Sequence, residues 1–297
     1  LTDAGSLLLE HATAIMARLA AAEADMEALS RGERGVLRLG AYQSVGSRVL
    51  PVLMRRFLGH GMSGDVRLTE SIGDPELLQL LTQGELDLAF ASLPLPDGPF
   101  AVAEVLVDPF VLVVDAGSPL VRRPREKELD LAELDGEELV CFQTCRSTDA
   151  ALAELAGRRV VPQVVFRSDH NSTVQGLAAA GLGAALLPRL AYDSSDPYTE
   201  AIELGTHLPP RVISLVWHEA AELSPIARSF VELARDACAT IARDEELRLQ
   251  GSHASRRKPV TGEPWLHPVP ARTAQPPVGA VDAQTPARRR RLRAAPP

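Results

Sequence analysis

The sequence predicts an α/β fold in which parallel sheets are covered by helices on both faces. Short apolar runs typical of strands alternate with amphipathic segments of helical period between residues 36 and 243. The segments between the strands are also long enough for the helical crossovers that parallel strands require. With 45% hydrophobic and 24% charged residues, the 297-residue chain has the composition of a globular protein and enough length for a sizeable core.

A long amphipathic helix is predicted at residues 6–31. Its apolar residues recur at alternating spacings of four and three, which is the a/d seam of a coiled coil. The seam contains the four candidate dimerisation residues Leu8, Ile15, Leu19 and Met26. A helix packed on its own domain would show the same pattern, but the length of this helix and its small seam alanines favour a partner helix. The glycine-broken segment at residues 31–35 ends it.

Strands and helices then follow one another along the chain. Apolar or alternating runs predict strands at 36–41, 65–70, 86–91, 110–115, 139–142, 160–166, 183–187, 201–204 and 212–217. Helical periods with capping and glycine signals predict helices at 45–58, 75–83, 149–156, 171–180 and 225–243. Residues 251–297 hold nine prolines and keep no apolar period, which predicts a disordered Pro/Arg-rich tail.

Charge is distributed unevenly along the chain. Of the 31 basic and 39 acidic residues, nine basic and two acidic ones lie in residues 251–297, which carry +7 and leave −15 on residues 1–250. An acidic body of this kind does not bind nucleic acid through a broad basic face. Contact with DNA therefore needs another segment, although the basic tail leaves open a non-specific contribution.

Several classes of protein are excluded by what the sequence lacks. Its apolar runs are too short to span a bilayer, and charged residues interrupt the first thirty residues where a secretory signal would lie, so we expect a cytoplasmic protein without membrane contact. Three cysteines, an odd number, fit a reducing compartment. The sequence has no nucleophile elbow and no P-loop, and its seven histidines never pair at metal-ligand spacing. We therefore expect no enzymatic activity, no cofactor and no metal.

Five short segments stand out along the chain: GVLRLGAYQS at 35–44, GELDLA at 84–89, GSPL at 117–120, AAGLGAALLP at 179–188 and RVISLVW at 211–217. In their order and spacing they resemble the LysR-type transcriptional regulators. The opening residues 1–5 also resemble the last turn of that family's DNA-binding module, where it runs into a linker helix. The joint order of these segments along residues 1–245 makes the resemblance specific, although each segment is short.

The resemblance implies two Rossmann-like subdomains of the type 2 periplasmic-binding-protein kind, joined by two crossover strands. Residues 36–108 with 214–246 would form the first subdomain and residues 109–213 the second. Residues 1–5 would be a remnant of the DNA-binding wing and residues 6–31 the linker helix, with the winged helix-turn-helix missing from this chain. The implied partners are a small-molecule effector, promoter DNA through the missing module, and further copies in a homodimer or homotetramer.

The function implied by the family is regulation of transcription by an effector that binds between the subdomains and alters the arrangement of the DNA-binding modules. A stand-alone cytoplasmic solute-binding protein of the same fold is the alternative. Ligands of open α/β sheets bind beyond the carboxyl ends of the strands, where helix N-termini favour an anion. The candidate effector-binding residues at these positions are Tyr42, Gln43, Ser44, Ser92, Arg146, Ser147, Ser168 and Asp169.

The charge of the effector stays open at this point. Ser44, Ser92 and Asp169 match effector-binding positions of the family, although serine or aspartate at a strand end is also an ordinary helix cap or turn residue. An inward Arg146 would suit an organic acid because a guanidinium binds a carboxylate through two hydrogen bonds. A cleft dominated by Asp169 would instead suit an amine, an amino acid or a neutral polar ligand.

Overall fold

The computed structural model describes residues 1–5, 35–59, 64–122 and 129–251, with single residues or pairs between 8 and 26. The described residues between 3 and 26 are helical, as predicted for the linker segment. The four seam residues Leu8, Ile15, Leu19 and Met26 are among them, and their side chains are exposed. The rest of residues 6–31, and the predicted tail beyond Gly251, lie outside the described residues.

The first of two sheets lies in the first half of the chain and takes one strand from near its end. Its strands are β1 (Val36–Tyr42), β2 (Asp65–Ser71), β3 (Leu88–Leu93), β4 (Phe100–Asp108) and β10 (Arg211–His218), in the spatial order β2-β1-β3-β10-β4. Its helices are α1 (Gln43–Arg48), α2 (Leu50–Gly59), α3 (Asp74–Thr82) and α6 (Pro225–Gly251). A single core cluster joins them, in which the rings of Phe57 on α2 and Phe230 on α6 lie 6.1 Å apart.

The second sheet is formed by the residues between β4 and β10. Its strands are β5 (Phe110–Asp115), β6 (Glu138–Cys141), β7 (Gln163–Arg167), β8 (Ala184–Pro188) and β9 (Thr199–Glu203), in the spatial order β7-β6-β8-β5-β9. Successive residues of β5 point to opposite faces: Leu112 packs with α4 (Arg146–Gly157), while Val111 and Val113 pack with α5 (Asn171–Ala179). Helices therefore cover both faces, and the two predicted α/β halves are confirmed.

The prediction of wholly parallel sheets is wrong for two strands. β10 runs antiparallel to both β3 and β4, and β5 runs antiparallel to both β8 and β9. Each of these reversed strands is the first that the chain forms after it passes from one sheet to the other. A strand reached without a crossover helix is free to pair in the antiparallel sense, and Pro109 alone separates β4 from β5.

Three further differences concern the elements themselves. The predicted helix at 45–58 is two helices, α1 and α2, that meet at Val49; Pro51 has no N–H to continue the hydrogen-bond ladder across this junction. The nine-residue strand β4 was not predicted, because alanines and Glu104 dilute its apolar pattern. β10 begins at Arg211, before the predicted return to the first subdomain at residue 214.

Candidate functional site

A polar cleft is lined by residues from both halves of the described structure. The first half contributes Tyr42, Gln43, Ser44, Ile72, Gly73, Asp74, Ser92 and Arg211, and the second contributes Phe142, Thr144, Cys145, Arg146, Asp169 and Asn171. The cleft has about 480 Å³ of empty volume when its open mouth is included.

The lining follows from the direction of the parallel strands. Tyr42 is the last residue of β1, Asp74 opens α3 shortly after β2, and Asp169 follows β7. The segment from Phe142 to Arg146 leads from β6 into α4. Within each sheet the carboxyl ends of the parallel strands lie at one edge, and residues from these two edges line the cleft together.

A buried ion pair joins the two places where the chain passes between the sheets. Asp108 is the last residue of β4 and Arg211 the first of β10, and the Nε of Arg211 donates to Oδ2 of Asp108 at 3.0 Å. The other carboxylate oxygen of Asp108 accepts from the backbone N–H of Leu190 at 3.0 Å. Burial raises the pKa of Asp108 above its ordinary value, while Arg211 acts in the opposite direction. Neither side chain has more than 4% of its surface exposed, so each charge depends on the other.

The same arginine reaches into the cleft. Its Nη2 donates to Oγ of Ser44 at 3.0 Å, and its guanidinium carbon lies 5.3 Å from the centre of the Tyr42 ring. The hydroxyl of Tyr42 lies 3.4 Å from Oγ of Ser92. Burial raises the pKa of Tyr42 to about 12, so its phenol is neutral at physiological pH. The crossing strands are thus connected by direct contacts to the floor of the cleft.

Hydrogen bonds also cross the cleft from one half to the other. Arg146 Nη2 donates to Oδ2 of Asp74 at 2.9 Å and to the carbonyl of Ser92 at 3.1 Å. The backbone N–H of Asn171 donates to Oε1 of Gln43 at 3.0 Å. Outside the lining, Arg48 of the first half forms an ion pair with Asp193 of the second, with 3.1 Å between Nη2 and Oδ1. The described arrangement is therefore one in which the two halves hold each other directly.

Comparison with known proteins assigns the chain to a family. Residues 30–239 match the family model described as the LysR substrate binding domain, which covers most of the chain. The chain belongs to the LysR family of transcriptional regulators. The sequence-based resemblance is thereby confirmed, and the matched residues form the effector-binding domain of a LysR-family regulator.

Individual relatives agree with this assignment. The LysR-family chain is 25% identical over 231 residues to YybE of Bacillus subtilis, an uncharacterized HTH-type transcriptional regulator, and the match covers 77% of each. It is 28% identical over 243 residues to the HTH-type transcriptional regulator CbbR of Rhodospirillum rubrum, covering 81% of this chain and 79% of CbbR. The BenM effector-binding domain with its effector benzoate has the same fold, with a TM-score of 0.62, 18% identity, and coverage of 71% of this chain and 95% of that one. YybE and CbbR are named as transcriptional regulators, which supports the expectation of a non-enzymatic role.

Six of the eight predicted site residues line the cleft of this LysR-family chain, and two do not. Tyr42, Gln43, Ser44, Ser92, Arg146 and Asp169 line it. Ser147 is absent from the lining and buried, because α4 begins at Arg146 and not at residue 149, which turns Ser147 inward in the first helical turn. Ser168 also lies outside the lining, and its Oγ accepts from the backbone N–H of His170 at 3.3 Å in a local turn. Ser92, predicted to follow a strand, is part of β3.

Asp169 has a structural task within the cleft wall. Its Oδ1 accepts from the backbone N–H groups of Gln143 at 3.1 Å and Thr144 at 2.8 Å, and from the Thr144 hydroxyl at 2.9 Å. These bonds anchor the segment between β6 and α4. Asp169 was the residue that, from the sequence, would suit an amine or a neutral ligand. In the structure its Oδ1 already accepts hydrogen bonds from donors of its own half.

Other lining residues were not found by sequence reasoning. Asp74 and Asn171 could have been found, because each begins a helix just after the carboxyl end of a strand, the same rule that identified Ser44. Arg211 had no such signal, because it opens a reversed strand and reaches the cleft only through the packing of β10 beside β3.

The cysteines and the described acidic groups add no metal site. The three thiols are free, and burial raises the pKa of Cys141 to about 11 and that of Cys238 to about 12. Cys145 is half-buried and lines the cleft. Within the described residues, no group of three His, Cys, Asp or Glu side chains is placed to hold a metal. In the same part of the chain, no helix combines the length and apolarity needed to cross a bilayer.

Proposed function

We propose that this chain senses a small polar effector in the cleft and regulates transcription through DNA-binding modules to which it is coupled. The observation that supports this most is the convergence of hydrogen-bonding groups from both halves on one cleft. The BenM effector-binding domain, which has the same fold, is known with its effector benzoate. A regulator that senses a metabolite and binds promoter DNA works in the cytoplasm.

The effector acts by shifting a population. A ligand that takes over the donors and acceptors used by Arg146 and Gln43 replaces direct contacts between the halves with contacts through itself. It shifts the equilibrium only as far as its affinities for the two arrangements differ. A coupling free energy of about 1–3 kcal/mol is enough to change DNA occupancy several-fold or more.

Self-association through the N-terminal helix transmits this change. The exposed apolar side chains of Leu8, Ile15, Leu19 and Met26 present a seam that a second copy of the helix covers. Two copies then set the spacing of two DNA-binding modules, in a homodimer or homotetramer. The interaction with promoter DNA runs through those modules.

We expect Leu19→Glu to weaken self-association in sedimentation velocity. An unpaired carboxylate in an apolar helix interface costs more than about 1.4 kcal/mol, which raises the dissociation constant at least roughly tenfold. Ala17→Glu is the matched control, because position 17 lies opposite the seam in the heptad pattern. Equal association of the two variants would remove the helix from the interface.

The effector site itself is tested with a thermal-shift screen of small metabolites. We expect at least one compound to raise the melting temperature, because a ligand that prefers the native state stabilises it. Ser44→Ala should weaken binding of that compound roughly threefold to tenfold, the effect of losing one hydrogen-bonding group in the cleft. Ser168→Ala makes the same chemical change outside the lining and should leave affinity unchanged. If the two variants bind equally well, Ser44 is not part of the effector site.

A further inference from the structure

We propose that the effector carries a carboxylate, and that in the ligand-free protein the side chain of Asp74 occupies the place of this carboxylate on Arg146. The inference rests on the proposed function, because it names the chemical class of ligand for the same cleft. It also makes Asp74 a built-in competitor of the effector.

The carboxylate of Asp74 occupies a position at which hydrogen-bond donors from both halves converge. A single oxygen of Asp74, Oδ2, accepts from the backbone N–H of Ser92 at 2.9 Å and from Nη2 of Arg146 at 2.9 Å. Arg146 comes from the opposite half of the molecule, and its side chain is 32% exposed, so solvent and small solutes reach it. The geometry at Oδ2 is that of a charge-assisted hydrogen bond supported by a backbone donor.

Asp74 does not provide an acceptor for every donor at this position. The Nε of Arg146 is buried and has no hydrogen-bond partner among the described residues. The hydroxyls of Ser147 and Thr148, in the same first turn of α4, are likewise buried without a described partner. The turn has no side-chain cap, since Cys145 stands at the cap position. A free carboxylate could bind Nη2 and Nε together, the two-bond arrangement that a tethered aspartate does not reach here.

The remaining charges of the cleft do not compete for such a ligand. Oδ1 of Asp169 accepts from three donors in the neighbouring segment between β6 and α4, and Arg211 is paired with Asp108. The carboxylate of Asp169 is thus turned toward the wall of the cleft through Oδ1, while Nε of Arg146 remains a donor without a described partner. Ile72, Phe142 and the Tyr42 ring provide apolar surface beside Arg146 for the body of the ligand.

Exchange at Arg146 gives the effector a direct effect on the two halves. The Asp74–Arg146 ion pair joins α3 of the first half to α4 of the second. A ligand carboxylate that displaces Asp74 removes this bond and places itself between the halves. The affinity of the protein for a carboxylate is thus lowered by the free energy of the Asp74–Arg146 ion pair, which the ligand has to break.

Chemical rescue by acetate tests the proposal without knowledge of the effector. Asp74→Ala removes the internal carboxylate and leaves Arg146 in place. Acetate at about ten times its dissociation constant should raise the Tm of this variant by about 3 °C, and clearly more than that of the unaltered chain, in which Asp74 competes. Acetamide, which has the same shape without charge, should give no such difference, and sodium chloride at equal ionic strength controls for screening.

Two further variants keep every outcome decisive. Asp74→Ser also removes the carboxylate and shortens the side chain, and it replaces Asp74→Ala if the alanine variant does not fold. Adding Arg146→Gln to either variant should abolish the acetate effect. The proposal is overturned if acetate acts equally on the unaltered chain and the variant, if acetamide or methylammonium acts as well as acetate, or if the effect survives Arg146→Gln. A neutral or cationic compound that binds through Ser44 in the metabolite screen would leave the proposed function standing while this inference falls.

Discussion

Replacing Arg211 with methionine should lower the free energy of unfolding by about 3–5 kcal/mol, because the substitution leaves the carboxylate of Asp108 buried without its charged partner. Asp108 has 1% of its side chain exposed, so water cannot replace the guanidinium. Urea unfolding followed by circular dichroism measures the change. We expect this loss of stability although Arg211 is not part of the hydrophobic core of either sheet.

Two controls separate the buried pair from ordinary charge effects. The double variant Asp108→Leu with Arg211→Met removes both charges and should be more stable than the Arg211→Met variant alone, since neither charge is then left unpaired. Arg158→Ala breaks an exposed pair with Glu154, whose side chains are 45% and 43% exposed, and should change stability by less than about 1 kcal/mol. A loss at Arg211 no larger than the loss at Arg158 would show that the buried pair contributes nothing beyond a surface one.

Phe230→Ala is the second large effect that we expect, at about 3–5 kcal/mol of lost stability. Phe230 is fully buried on α6 and packs against Phe57, so its removal leaves a cavity beneath the first sheet. Amide hydrogen exchange should rise most in the strands of that sheet, because the two halves have separate core clusters.

Leu112→Ala is the matched variant for the second half. Leu112 is fully buried on the face of β5 that packs against α4. Its truncation should raise amide exchange in the second sheet first and lower the free energy of unfolding by about 2–5 kcal/mol. Indistinguishable exchange patterns in the two variants would mean that the halves unfold as one cooperative unit. Either pattern bears on how independently the two halves can move when an effector binds.

The ion pair between Asp108 and Arg211 lies at both connections between the halves. Both crossing connections pass through it, and Arg211 also contacts Ser44 in the cleft. A ligand that changed the position of Ser44 would therefore act on both connections between the halves. The hydrogen bonds described for Asp169, in contrast, stay within the second half, where they link the end of β7 to the segment after β6.

The local sequence pattern predicted the bounds of several strands and helices and the residues at strand ends. The strand predicted at 110–115 has those bounds in β5, and α5 ends one residue before the predicted limit. Tyr42, Gln43 and Ser44 were placed correctly because a strand that leads directly into a helix puts its last residues at the sheet edge. Ser147 was misplaced because a helix start that is wrong by three residues rotates a side chain to another face.

The order of amino acids is enough to locate most strands, helices and polar strand ends, because side-chain period, capping and turn chemistry act over a few residues. It is also enough to recognise the family. The reversed strands β5 and β10, the cross-cleft bond between Asp74 and Arg146, and the pairing of Asp108 with Arg211 across 103 residues of chain depend on how the two sheets assemble. A contact between residues so far apart leaves no periodic signal in either segment, so it emerges only when packing brings the segments together.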